Sequence, residues 1–257
     1  MDDGGQSKNF NGLGYPCVAS IHPNLARYEP SGPAHDRRPR HLTRVRGPDC
    51  PKRTSRSVRD GPRRRTGIGH PFMTTVATGL QARGVATFQY QFPYMETRSK
   101  RPDRPPIAQA TVRAAVEQAA RLFPGISLVA GGKSFGSRMT TQAQAVLPLA
   151  GVIGLVAFGF PLHAAGKPSD DRARHLADIS IPMLFLQGDR DALADTGLLL
   201  PAIRRLGAPA TLHLLSGADH SFGVLARSGG TNGEVMAEAL DVMVGWLTGL
   251  VTNPIGR

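Results

Sequence analysis

Cysteine is scarce: Cys17 and Cys50 are the only two in 257 residues. Neither stands at a metal-ligand spacing, which argues against both a disulfide framework and a zinc site. No run reaches the roughly 18 apolar residues of a membrane span, and the opening Met1-Asp2-Asp3-Gly4-Gly5 holds no apolar core of a signal peptide. A reducing, cytoplasmic setting without a membrane partner is the expectation. Aromatic residues are few, 6% of the chain, and they are not interleaved with the arginine-rich pieces near the start, as a grip on unstacked bases requires.

The basic charge is confined. Residues 1–69 hold 14 Lys and Arg against 6 Asp and Glu, so 8 of the net +12 charges come from that segment. The same stretch has eight Pro, nine Gly and only eight Ile, Leu and Val, a composition that buries too little apolar surface to offset chain entropy. It reads as a disordered or non-native segment, with any N-terminal strands of the fold missing or unreadable. The runs Arg37-Arg38-Pro39-Arg40 and Arg63-Arg64-Arg65 admit a phosphate-binding tail, but a solvated charge run is the more ordinary reading. Nucleic acid is therefore not the expected partner.

From His70 onward the texture changes. Phe72, Met73, Val76, Ala77 and Leu80 recur at helical spacing between Pro71 and a stop at Gly84. Val85–Tyr90 alternates like a strand, and Phe92–Pro106 reads as a loop. A helix follows over Ile107–Leu122, then a strand, then a helix with Phe135, Met139, Ala143 and Leu147 on one stripe. Continuous apolar runs at Gly151–Phe158 and Pro182–Gln187 carry the mark of strands covered on both faces. A helix at Leu198–Leu206, a strand at Ala210–Leu215 and a closing helix striped by Met236, Leu240, Met243, Leu247 and Leu250 complete the pattern. Such alternation predicts one α/β domain over 70–257, a mostly parallel sheet with helices on both faces.

Within this pattern Gly132-Lys133-Ser134-Phe135-Gly136 has the form of a nucleophile elbow, and it stands between a predicted strand and a predicted helix. A serine nucleophile needs a base, and the base needs an acid to orient it. In elbow enzymes these follow in the order Ser, acid, His. Gly188-Asp189-Arg190-Asp191 follows one strand and Gly217-Ala218-Asp219-His220 follows another. His220 is the candidate base. Asp191 is preferred as acid because the third position past the glycine carries it in this type of turn, with Asp189 as competitor. Bland readings exist: Ser134 and Asp191 as helix caps, His220 as a loop histidine. His213 is expected to be packed within its strand, and His163 and His175 to lie on loop or helix surface. Lys133 either tunes the nucleophile's surroundings or faces solvent, and with Tyr94 it is a candidate for substrate binding.

Gly131–Met139, His70-Pro71-Phe72-Met73, Phe92–Glu96, Arg101-Pro102-Asp103 and Gly217–Phe222 together resemble the dienelactone-hydrolase-like α/β-hydrolases, in particular the branch of testis-expressed-protein-like hydrolase domains. The resemblance runs collinearly over residues 70–257. It implies an α/β-hydrolase fold and hydrolysis of an ester, lactone or related small acyl substrate. It further implies Ser134 as nucleophile, His220 as base, Asp191 as acid and the Phe135 N–H as one oxyanion donor, with no cofactor or metal. In such proteins a strand ending in a His-Gly-x-Gly loop precedes the His-Pro-Phe-Met helix and supplies the second donor. Here Arg64-Arg65-Thr66-Gly67-Ile68-Gly69 stands in that place, leaving Gly67 and Gly69 as candidates. Losing one donor costs about 10²–10³ in kcat, so a catalytically impaired scaffold is the rival expectation. The abrupt change of texture suggests that residues 1–67 derive from a shifted frame or wrong start. If so, another frame of the gene will encode an apolar strand followed by His-Gly-x-Gly, and its absence from both other frames refutes that origin.

Overall fold

The computed structural model describes the backbone of residues 16–21 and 45–46 and residues 70–252 apart from Arg98. Seven strands make one sheet: β1 (Pro16–Ile21), β2 (Val45–Arg46), β3 (Ala86–Gln89), β4 (Ser127–Lys133), β5 (Val152–Phe158), β6 (Met183–Gly188) and β7 (Ala210–Leu215). Their order is β2-β3-β1-β4-β5-β6-β7, with β4 through β7 parallel and β1 antiparallel to both β3 and β4. The α/β-hydrolase fold expected from the sequence is the fold observed.

The apolar runs hide a period of two. Leu155, Ala157, Met183 and Phe185 face one layer of the core, and Val156, Phe158, Leu184 and Leu186 face the other. Every position is apolar because both faces are covered. The first layer is roofed by α3 (Pro105–Leu122), α4 (Phe135–Val146) and α5 (Thr196–Leu206), the second by α1 (Pro71–Ala82) and α6 (Asn232–Thr252). Helix α1 starts where Pro71 costs no hydrogen bond. His70 Nδ1 accepts the Phe72 N–H at 3.2 Å, and the helix stops before Gly84, which turns at φ +74°.

Helix α6 has the length and mean hydropathy of a membrane span. Its Val235, Met236, Ala239, Leu240, Met243 and Leu247 are buried against the sheet, so in this fold the helix serves the core.

Several expectations are corrected. Residues 1–69 were expected to hold no readable strand, yet β1 and β2 come from them, and β1 lies inside the sheet between β3 and β4. Its six residues carry only Val18 and Ile21 as β-branched apolar positions and begin with Pro, which a strand tolerates at its first residue. Strand membership comes instead from main-chain pairing to β3 and β4, which local sequence does not encode. Strand β3 was expected to alternate, but all four of its residues are buried, and Gln89 is satisfied by donating to the Met73 carbonyl at 2.8 Å. The Phe92–Pro106 loop contains a short helix, α2 (Pro93–Glu96). Leu147 leaves the α4 stripe: it has extended backbone after the helix end and is 60% exposed. The rest of the 1–69 segment, with its arginine runs, lies outside the described residues.

Two glycines give a contrast that tests the packing. A Cβ at Gly131 would stand 2.1 Å from the Val156 carbonyl oxygen of the paired strand, whereas one at Gly84 meets nothing within 4 Å and suffers only the positive φ. Gly131→Ala should therefore lose about 3 kcal/mol or more, the upper end for overpacking because main chain cannot step aside. Gly84→Ala should lose about 1 kcal/mol. Urea unfolding of the two variants checks the order.

Candidate active site

The parallel strands β4, β6 and β7 bring three loops to one sheet edge, and each loop carries one of the expected residues. Ser134 follows β4 directly and stands at the first turn of α4 with φ 53° and ψ −115°, a conformation costly for any residue with a Cβ. Its N–H donates to the Phe158 carbonyl at 3.1 Å, and its own carbonyl accepts the Ser137 hydroxyl at 2.7 Å. The strained residue is thereby tied to the neighbouring strand and to its own helix. The cap reading fails, because the Ser134 hydroxyl makes no capping bond to the helix.

That hydroxyl is instead 2.8 Å from His220 Nε2. His220 Nδ1 is 2.6 Å from Asp191 Oδ2. Asp191 has no side-chain exposure. Its carboxylate also accepts the Gln187 amide at 2.5 Å and the Leu193 N–H at 2.8 Å. Both its oxygens are occupied, so the buried charge is satisfied and pinned. Asp189 is exposed and bonds through its main chain to Leu215, so of the two carboxylates it is Asp191 that stands against His220.

The His220 loop is shaped by Asp219. Its Oδ1 accepts the N–H groups of Ser221 at 2.7 Å and Gly223 at 2.9 Å, and Phe222 is held at φ 62°. The Phe222 ring is buried edge-on to Phe72 at 5.5 Å. Burial, with the nearby Lys133 charge as second cause, pushes the His220 imidazole below its ordinary value, against the pull of Asp191. His220 is thus neutral at physiological pH, the state in which Nδ1–H donates to Asp191 and Nε2 can accept the serine proton.

The Phe135 N–H meets no acceptor among the described residues and sits at the first position of α4, where a developing oxyanion would find it. Gly67 and Gly69, the candidates for the second donor, lie outside the described residues. Strand β1 runs antiparallel to β4, pairing Pro16 with Gly132, so its carboxyl end points away from Ser134. It therefore differs from the strand expected to deliver a donor loop into α1.

Tyr94 is 3% exposed and packs edge-on to Phe135 at 6.0 Å, stacked on Phe92. It shores up the first turn of the nucleophile helix. The Lys133 ammonium donates to the main-chain carbonyl of His220. Histidine expectations divide. His175 is half-buried beside Thr141 at 2.8 Å, and burial, then Arg138, pushes it down to about 4. His163, expected at the surface, is buried: its Nε2 accepts the Asp195 N–H at 2.9 Å and its Nδ1 donates to the Ala164 carbonyl. His213, expected to be packed, is partly exposed and 2.7 Å from Glu238. Sequence reasoning missed Gln187 and Phe222. A polar residue ending an otherwise apolar strand was the available signal for Gln187. Among the described residues no group of three His, Cys, Asp or Glu could hold a metal.

A nucleophile elbow, a hydrogen-bonded base and a buried acid in chain order on a parallel sheet define an α/β hydrolase of the serine type. The chain belongs to the alpha/beta hydrolase domain family, whose pattern matches residues 66–248. Among solved structures it is similar to an alpha-beta serine hydrolase homologue from Coxiella burnetii, at 18% identity and a TM-score of 0.55, covering 70% of this chain and 77% of that one. A member of the a/b serine hydrolases without lid from Xanthomonas campestris matches at 21% identity and a TM-score of 0.53, covering 70% and 75%. At such identity the likeness is one of fold.

The strain at Ser134 can be isolated. Ser134→Ala and Ser134→Gly both remove the hydroxyl, but only glycine relieves a backbone cost of about 1–3 kcal/mol. Elsewhere glycine is the less stable choice by roughly 0.5–1 kcal/mol. Here Ser134→Gly should be at least as stable as Ser134→Ala in urea unfolding, and a clearly less stable glycine variant would remove the strain.

Proposed function

We propose that the protein is a serine hydrolase of the dienelactone-hydrolase-like branch, acting on an ester, lactone or related small acyl substrate without metal or cofactor. The observation that carries this reading is the unbroken relay from Ser134 through His220 to Asp191, at 2.8 and 2.6 Å. Ser134 Oγ attacks the acyl carbonyl while His220 Nε2 takes the hydroxyl proton. The oxyanion is held by the Phe135 N–H at the start of α4. Collapse expels the alcohol, which receives its proton from His220, and leaves the acyl on Ser134. Water, deprotonated by His220, then attacks that ester and releases the acid, returning the proton to Ser134. Asp191 fixes the imidazole tautomer throughout.

The branch assignment is supported by the run from Gly131 to Met139 and by His70–Met73. A cytoplasmic site of action belongs to the same reading. So does a substrate bound at the open strand edge, in a pocket shaped by the loops around Phe92–Pro106 and Phe160–Asp171.

Labelling by a fluorophosphonate probe and hydrolysis of p-nitrophenyl esters of graded chain length test the proposal. Ser134→Ala should abolish labelling. His220→Ala should lower kcat by about 10⁶ and Asp191→Asn by about 10⁴, whereas Asp189→Asn should leave both kinetic constants unchanged. Because His220 must be neutral and lies below its ordinary 6.5, kcat/KM should hold through neutrality, and its acid limb should lie below the ordinary imidazole range. A folded protein that neither labels nor hydrolyses any ester refutes the reading.

A further inference from the structure

Lys133 is a buried cation with an unusual set of partners. It ends β4, one residue before the nucleophile, and is 5% exposed. Among the described residues no carboxylate lies within ion-pair distance of its ammonium. The ammonium donates to the main-chain carbonyl of His220 and lies 5.0 Å from the centre of the Phe222 ring and 5.4 Å from that of Phe72. Room is left for it by Gly159, where a Cβ would stand 2.5 Å from Nζ. A buried ammonium without a contacting counter-ion is expensive, and an apolar residue at the end of this otherwise apolar strand would avoid that cost. What the lysine holds is the loop of the base, at the base itself and at the aromatic ring two residues beyond.

We propose that Lys133 is a positioning residue whose charged ammonium, by gripping the His220 carbonyl and the Phe222 ring, fixes the imidazole between Asp191 and Ser134. The inference rests on the serine-hydrolase reading and assigns a positioning residue of the same site. Four titratable groups face the ammonium: His70 at the start of α1, Asp191 after β6, and Asp219 and His220 after β7. The two carboxylates favour its charge, but burial outweighs them and brings Lys133 down to about 8, from an ordinary 10.5. In turn its charge helps to depress His220. A neutral amine keeps an N–H donor, but it loses the charge-assisted bond and the attraction to both rings.

Below about 8 the ammonium is charged and its charge-assisted grip is present. Between about 8 and 10.5 the folded protein has lost a proton that the unfolded chain retains, so this group makes the fold more stable as pH rises through that window. The charge is therefore a cost to stability, and its role is read from the catalytic constants and the imidazole.

The test uses wild type, Ser134→Ala, Lys133→Arg and Lys133→Met. Two measurements are compared from about pH 5 to about pH 10: p-nitrophenyl acetate kinetics, and the titration of the His220 imidazole followed by NMR. The hydrolysis should be lost with Ser134→Ala. Lys133→Met should lower kcat by about 10–100-fold with little change in KM. It should also move the acid limb and the imidazole titration upward, because the charge that depresses His220 is gone. Lys133→Arg, charged throughout the range, should retain more kcat than Lys133→Met and keep the imidazole titration low. If Lys133→Met does not fold, Lys133→Gln, equally uncharged, takes its place. An uncharged variant with wild-type kcat and an unmoved imidazole titration would overturn the proposal. Absence of Ser134-dependent hydrolysis in wild type would instead strike the hydrolase reading, while the imidazole titration would still decide whether Lys133 acts on the base.

Discussion

Because β4, β5, β6 and β7 run in one direction, their carboxyl ends line a single edge, and every reactive group stands on a loop leaving that edge. Parallel pairing is therefore the constraint from which the site follows. Three residues separated by 57 and 29 positions in sequence meet within two hydrogen bonds, because each stands in the turn or loop that follows a parallel strand. The buried strands cannot shift without moving a whole face of the core, so the loops inherit their rigidity. Ligand sites in open parallel sheets sit at this edge for the same reason.

The site is costly to build. Ser134 holds a backbone conformation that side chains avoid, Phe222 another, and two ionisable groups, Asp191 and Lys133, are buried within one loop cluster. Each cost is met locally. Asp191 is satisfied by an amide, a main-chain N–H and the imidazole, Ser134 by bonds to β5 and α4, and Lys133 by a carbonyl and two ring faces. Such arrangements persist when surrounding packing over-determines them. Here that packing is the aromatic contact of Phe72, Phe158 and Phe222 on one side of the sheet and Phe92, Tyr94 and Phe135 on the other.

Most of the sheet from β3 to β7, and the three residues of the relay, were legible in the sequence because they depend on local signals. Apolar runs such as Val152–Phe158 mark buried strands, and Gly-x-Ser-x-Gly between a strand and a helix marks a turn with a chemical purpose. What stayed hidden depends on partners distant in the chain. Strand β1 is defined by the backbones on either side of it. The direction of Lys133 is set by a carbonyl 87 residues away. His163 looks like a surface histidine until the Asp195 N–H is found against it. Leu147 shows the opposite error, since its spacing fits α4 but the helix has already ended.

Strand β1 lies between β3 and β4, although it precedes both in the chain. Its insertion closes the longest loops in the sheet, and long loop closures are slow compared with helix formation or the pairing of β4 with β5. Until it arrives, the inner edges of β3 and β4 present unpaired N–H and C=O groups beside a buried apolar core. Open edges of this kind recruit strands from other chains. The gap between β3 and β4 is thus the place where folding competes with aggregation, and the competition is settled by a six-residue segment of weak intrinsic strand preference.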